Sequence, residues 1–228
     1  METKPQLRTS QAMGLPLTIH LYRNGGKRLL DFVLSLSALL LLSPIACCVF
    51  ILIAFGLGIP ATFCQRRLGL RGQSFLLHKF RSMTDERDSQ GQLLSDEKRR
   101  TKLGKIVRST SLDELPQLFD ILRGEMSLVG PRPLLLSYRD RYTQREWRRH
   151  EVKPGLTGWA AVNGRNSVSW EEKLELDVYY IENYSLSFDL KILWLTVAKV
   201  LKRSGVSGAE AATCEIFRPD GLEGNPMT

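Results

Sequence analysis

The sequence predicts a helix-rich α+β protein held on one face of a membrane by an N-terminal helix that enters the lipid and turns back at a proline. Three features lead there. From Phe32 to Cys64 no side chain is charged. Both ends of that run are basic, with Lys27 and Arg28 before it and Arg66, Arg67 and Arg71 after it. Beyond it, short strand-like pieces alternate with amphipathic helical stripes, one of which sets an apolar face beside lysines. A chain of 228 residues suits one domain, or one with an appendage. With 43% hydrophobic and 25% charged residues it is neither disordered nor collagen-like. The formal charge of +8 points to polyanions: nucleic acid, phosphate-bearing substrates or an anionic membrane face. Cys47, Cys48, Cys64 and Cys214 have no C-x-x-C spacing, which argues against a disulfide framework or a zinc site and suits a reducing compartment.

Residues 1–26 are polar and read as a loose lead-in, and residues 27–66 as the membrane helix. A straight helix over the whole charge-free run would reach roughly 50 Å, against about 30 Å of bilayer hydrocarbon. Pro44 divides it into halves of roughly 18–23 Å, too short for two spans. The basic flanks carry the cytoplasmic signature at both ends, and a single span would strand one of them. A re-entrant helix kinked at Pro44 satisfies both, with the Ser43 hydroxyl as the nearest partner for the backbone groups that the proline frees. A kinked single span is the alternative. The run starts too late and is too long for a signal peptide.

Residues 67–203 form the expected cytoplasmic domain. Ile59 to Gln65 and Ser74 to Phe80 read as strands around a turn at Gly69–Gly72. Asp85 to Arg100 is charged and exposed, as loop or surface helix. Leu112, Leu115, Phe119 and Leu122 form a helical stripe that Gly124 ends. Tyr138 to His150 is a polar helix candidate, and Lys153 to Asn166, with Pro154, Gly155, Gly158 and Gly164, reads as loop. Ser169 and Glu172 make a capping box for a helix toward Tyr184. Leu190, Leu193, Trp194, Val197 and Leu201 share a face that either lies at the membrane interface or packs on the core. The tail, 204–228, has no periodic apolar face and is expected to be dispensable for the fold.

The chemistry concentrates around Asp113 and Glu114, at a helix start. Either Ser111 is the N-cap with Glu114 at N3, or Asp113 is the N-cap with Pro116 at N3; capping alone would explain both carboxylates. Their surroundings suggest more. Lys79, Arg81, Arg108 and Arg132 are cations suited to phosphate, and Mg²⁺ takes one or two carboxylates together with substrate phosphates. A carboxylate can also attack phosphorus. In Gly130-Pro-Arg-Pro133 an arginine sits between two prolines, as a phosphate clamp or as a plain turn. No P-loop is present, and the scattered His20, His78 and His150 make no metal site.

Several segments together are more specific: Lys27-Arg-Leu-Leu-Asp31, Ser43-Pro44, Lys79-Phe-Arg-Ser-Met83 and Thr110-Ser-Leu-Asp-Glu-Leu-Pro-Gln117. Met126-Ser-Leu-Val-Gly-Pro-Arg-Pro133, Pro154-Gly-Leu-Thr-Gly-Trp159, Val162-Asn-Gly-Arg-Asn166 and Trp170 to Leu193 follow in order. Over about residues 25–203 the chain resembles the bacterial sugar transferase family, the monotopic polyprenyl-phosphate phosphoglycosyl transferases, in their small catalytic-core form. The resemblance implies a re-entrant helix at the inner, cytoplasmic membrane, Mg²⁺ dependence and an Asp113–Glu114 catalytic dyad. It adds Arg165 to the phosphate-binding set. The reaction it implies moves a sugar-1-phosphate from a UDP-sugar to undecaprenyl (polyprenyl) phosphate and releases UMP, a first membrane step of glycoconjugate biosynthesis. Membrane lipids are then partners, nucleic acid is not, and a homo-oligomer stays open. Asp120 stands where the family pattern leads one to expect Asn, Ala161 where Gln is common and Lys153 where Arg is. The rivals are one-step transfer through a ternary complex, with a dyad that only binds metal, and a non-catalytic membrane scaffold.

Overall fold

The computed structural model describes residues 17–163 and 169–201. Arg165, the tail 204–228, Lys202, Arg203 and most of the lead-in lie outside them. The last part of the lead-in is not loose. Leu17–Leu21 is a helical turn, α1, and Tyr22–Gly26 continues as a π-helical turn into α2, Lys27–Leu57. The apolar stretch is therefore one helix, and it is long and apolar enough to cross a membrane. It stops at Gly58, whose φ of 83° lies in the left-handed region that glycine tolerates. The expected 27–66 segment ends in a turn and a strand.

Pro44 lies inside α2. It cannot donate to the carbonyl of Leu40, and the Ser43 hydroxyl donates there instead, at 2.9 Å. The predicted replacement is in place. Around it Leu40 and Leu41 are exposed, whereas Asp31, Ser35, Val49 and Ile53 face the folded body.

After α2 come β1, Thr62–Leu68, and β2, Ser74–Phe80, an antiparallel pair in which Phe63 faces Lys79. The expected hairpin forms. The charged segment after it is loop with a short helix α3, Asp96–Arg99, followed by α4, Lys102–Ser109, whose N-terminus the Thr101 hydroxyl caps at 3.0 Å. Leu112–Glu114 is a 3-10 turn, and only at Gln117 does α5, Gln117–Arg123, begin. Neither expected cap occurs: Ser111 makes no side-chain cap bond, and Pro116 precedes the helix. Ser111 has left-handed dihedrals instead of the extended ones of an N-cap, and the Glu114 carboxylate contacts Lys79 and Arg132. Gly124 ends α5 as expected, but the buried face is Gln117, Leu118, Asp120 and Ile121, and Phe119 points outward.

β3, Ser127–Val129, pairs in parallel with β4, Gly155–Thr157. The intervening Tyr138–His150 stretch is broken into 3-10 turns at Leu136–Arg141 and Arg148–Glu151 around a short α6, Gln144–Trp147. The stretch expected as loop after Lys153 contains β4 and α7, Trp159–Asn163. Its glycines serve contact rather than flexibility: a Cβ on Gly155 or Gly158 would collide with the backbone of Gly130. α8, Trp170–Asn183, is capped by the Ser169 hydroxyl at 3.2 Å, as the sequence suggests. α9, Leu186–Leu201, packs on the core along one side, and the predicted face is divided, with Leu193 on the core side. Ile192 is fully buried with Leu193 and Leu195 packed against the core, while Leu190, Val197 and Trp194, 73% exposed, form a bare apolar stripe.

Two apolar clusters tie α2 to the body. Leu118, Ile121, Met126, Tyr180 and Ile192 centre one, with Ala38 and Leu39 against it. Val49, Ile53, Ala61, Phe80 and Val107 make the other. Polar contacts fix the head of α2. Arg28 donates to the carbonyls of Ile121 and Leu122 at 2.5 and 2.6 Å, satisfying the open C-terminal end of α5. Asp31 accepts from the Ser127 hydroxyl and the Leu128 amide, each at 3.0 Å.

Candidate active site

The site is the 3-10 turn between α4 and α5, set against β2. Ser111, with φ 58° and ψ 17°, turns the chain through the left-handed region and delivers Asp113 and Glu114 together. Lys79 reaches across from β2, its Nζ 2.7 Å from Glu114 Oε1 and 3.8 Å from Asp113 Oδ2. Arg132 Nη2 comes within 3.2 Å of the same Glu114 oxygen. Arg132 is exposed, but its backbone is fixed: Gly155 donates to the Pro131 carbonyl at 2.9 Å, and Arg149 donates to the Arg132 carbonyl at 2.8 Å. The two prolines and the tight Gly130 contact leave that loop little freedom.

The neighbouring carboxyls are driven apart. Burial raises the proton affinity of Asp113; the Glu114 charge adds to that rise, while Lys79, Arg108 and Arg132 oppose it. Burial would raise Glu114 too, but Arg132 and Lys79 outweigh it and hold that carboxyl at about 2. Adjacent groups with divergent proton affinities commonly divide roles in a reaction. Asp113 is buried and accepts no hydrogen bond from the described residues, whereas Glu114 anchors two cations.

Of the sequence-predicted residues, Asp113, Glu114, Lys79 and Arg132 come together, and Arg108 lies within electrostatic reach of Asp113. Arg81 does not join them. β2 ends at Phe80, and Arg81 pairs with Asp85 at 2.9 Å and donates to the Pro60 carbonyl at 3.2 Å. Asp120 does not press on the dyad either. Its oxygens meet His78, Oδ1 at the ring Nδ1 (2.6 Å) and Oδ2 at the backbone amide (3.0 Å), one residue before Lys79. The sequence reading missed this contact and the Arg149–Asp177 pair, because both join residues far apart in the chain.

No group of three or more His, Cys, Asp or Glu that could hold a metal occurs among the described residues. Asp113 and Glu114 are two adjacent carboxylates, the kind of oxygen donor that Mg²⁺ takes together with phosphate oxygens.

A family model described as bacterial sugar transferase matches residues 22–203. The chain belongs to the bacterial sugar transferase family. It is 52% identical over 195 residues to the uncharacterized sugar transferase EpsL of Bacillus subtilis, covering 86% of this chain and 96% of that protein. With the exopolysaccharide production protein ExoY of Sinorhizobium fredii it shares 36% identity over 196 residues, 78% of this chain and 87% of the relative. It therefore matches the small form of the bacterial sugar transferases over nearly its whole length. The UDP-glucose:undecaprenyl-phosphate glucose-1-phosphate transferase of Escherichia coli is 40% identical over 183 residues, covering 76% of this chain but 39% of that protein. The chain thus spans well under half the length of that larger relative.

Proposed function

We propose that the protein transfers a sugar-1-phosphate from a UDP-sugar to undecaprenyl or a similar polyprenyl phosphate, giving polyprenyl-diphosphate-sugar and UMP. The observation that carries this reading is the cluster itself: a buried, high-affinity carboxyl, Asp113, beside an ionised one, Glu114, with Lys79 and Arg132 in contact. The names of the relatives supply the substrate classes.

In the first half-reaction an Asp113 oxygen attacks the phosphorus that bears the sugar. The bond from that phosphorus to the bridging oxygen breaks, and UMP leaves with the bridging oxygen and its electron pair. In the second, an oxygen of the lipid phosphate attacks the same phosphorus and releases Asp113 as carboxylate. Lys79, Arg108 and Arg132 offset the phosphate charge, the dominant contribution in phosphoryl transfer. Glu114, held at about 2, is a weak base and acts as an anchor for Lys79 and Arg132 and as a metal ligand. Asp113 and Glu114 would hold the Mg²⁺, which supplies further charge neutralisation on the diphosphate.

The attachment is proposed to be re-entrant, with the catalytic body on the cytoplasmic face of the inner membrane. What supports it is that both ends of α2 seat on one folded body. Arg28 and Asp31 grip α5 and β3, and Val49 and Ile53 pack on Ala61, Phe80 and Val107. The bare stripe of α9 supports an interfacial role for that helix.

Incubation of the purified protein with a panel of UDP-sugars, polyprenyl phosphate and Mg²⁺ tests the reading. UMP should form with one or a few UDP-sugars and stop on addition of a chelator. No UMP from any of them would overturn it.

A further inference from the structure

Arg67 lies on β1, and the chain beside it is the stretch that follows the Arg132 loop. The Leu68 amide donates to the Leu134 carbonyl at 3.0 Å, and Arg67 bridges to Leu135. For a half-buried cation its guanidinium is poorly matched. Nη2 donates to Gln65 Oε1 at 2.6 Å, and Nε is buried with no hydrogen-bond partner. Among the described residues no carboxylate pairs with it. Its main charged neighbour is another cation, Arg132. Burial first, then Arg132, lowers its pKa to about 10, with Tyr138 acting the other way. Arg81 and Arg149 also bury an Nε without a partner, but each has a carboxylate, Asp85 and Asp177, and Arg67 has none among the described residues.

The backbone bridge to Leu135 sets Arg67 beside the stretch that leaves the Arg132 loop, and a half-buried guanidinium with no carboxylate of its own suits an anion with several acceptor oxygens. Glu114 meets Arg132 alone of the two. We propose that Arg67 binds a phosphate group of a substrate, closing a two-arginine clamp with Arg132. This rests on the phosphoglycosyl transfer reading. Either the nucleotide diphosphate or the lipid phosphate could supply the group, since both offer the same oxygens.

The test uses the full chain in nanodiscs, with Arg67→Met, Arg67→Lys and, as a control, Arg66→Met on the exposed neighbour. Melting is followed with and without UMP or inorganic pyrophosphate, and the KM for polyprenyl phosphate is measured. Without ligand, Arg67→Met should melt with the Arg66→Met control, because it loses no ion pair. Its affinity for UMP and pyrophosphate should fall about ten- to hundredfold, the worth of hydrogen bonds to a charged group, with Arg67→Lys between. Unchanged nucleotide affinity with a similar rise in the lipid KM assigns the clamp to the lipid phosphate. The proposal is overturned if neither changes, or if Arg67→Met melts early and every binding loss follows that instability. Wild-type protein that releases no UMP from any UDP-sugar would count against the parent reading, and the pyrophosphate arm would then judge Arg67 separately.

Discussion

Two sets of shielded charge share the folded body and are built to opposite rules. In the first, Asp189, fully buried, takes Lys27 at 2.5 Å and the Tyr22 and Tyr180 hydroxyls at 2.5 and 2.8 Å. Nearby Arg149 and Asp177 meet at 2.8 Å, with side chains almost wholly covered. Each buried acid meets a cation, and the Asp189 contacts join the head of α2, α8 and α9 into one unit. In the second, Lys79, Arg132 and Arg108 lie around two carboxylates, and Asp113 accepts no hydrogen bond from the described residues. Matched charge closes on itself and holds structure, because removing one partner strands the other. In the second set two cations share one carboxylate, Glu114, and Asp113 beside it accepts no hydrogen bond from the described residues, an arrangement suited to an anion and an electrophile.

That contrast can be broken first at Asp113. Asp113→Asn keeps the shape and removes the charge, so UMP formation should fall by roughly 10³-fold or more, as loss of a nucleophile does elsewhere. The melting temperature should hold or rise, since a buried, poorly solvated carboxylate is removed. The same exchange in the matched set should do the reverse. Asp189→Asn should cost about 3–5 kcal/mol of stability, read by denaturant titration, with residual activity in proportion to folded protein.

A subtler change separates the two carboxyls. Asp113 attacks only when ionised, and its pKa lies above the ordinary 3.8. UMP release without lipid should therefore rise with pH through that elevated value. Glu114 contributes to the elevation, so in Glu114→Gln the acid limb should move to lower pH, even where the rate is reduced. A limb that moves upward would contradict the assignment. The smallest effect belongs to the surface. Arg145 and Glu175 meet at 2.8 Å with both side chains more than half exposed, and Arg145→Met should change neither melting nor activity measurably.

The contrast also explains what could be read from sequence. The dyad, Lys79, Arg132, the hairpin, the Ser43 hydroxyl bond beside Pro44 and the Ser169 cap depend on neighbours in the chain or on the spacing of chemical types. The matched set does not. Nothing near Asp189 in sequence announces Lys27, and nothing near Asp120 announces His78; only the packed fold brings them together. Lys27 and Arg28 were legible as basic flanks but not as ligands of Asp189 and of the α5 carbonyls. Arg81 follows Lys79 in a basic motif, but the strand ends between them and Arg81 pairs with Asp85 instead of Glu114. Phe119 fits a helical stripe, yet α5 starts late enough to turn it outward.

The central claim, that Asp113 itself carries the phospho-sugar, is tested most directly by intact-protein and peptide mass spectrometry. The protein would be treated with its UDP-sugar and Mg²⁺ in the absence of polyprenyl phosphate. The account predicts UMP release and a sugar-phosphate adduct on the peptide containing Asp113, absent from Asp113→Asn and discharged on adding the lipid. UMP release that strictly requires polyprenyl phosphate, with no adduct under acid trapping, would contradict it and leave one-step transfer.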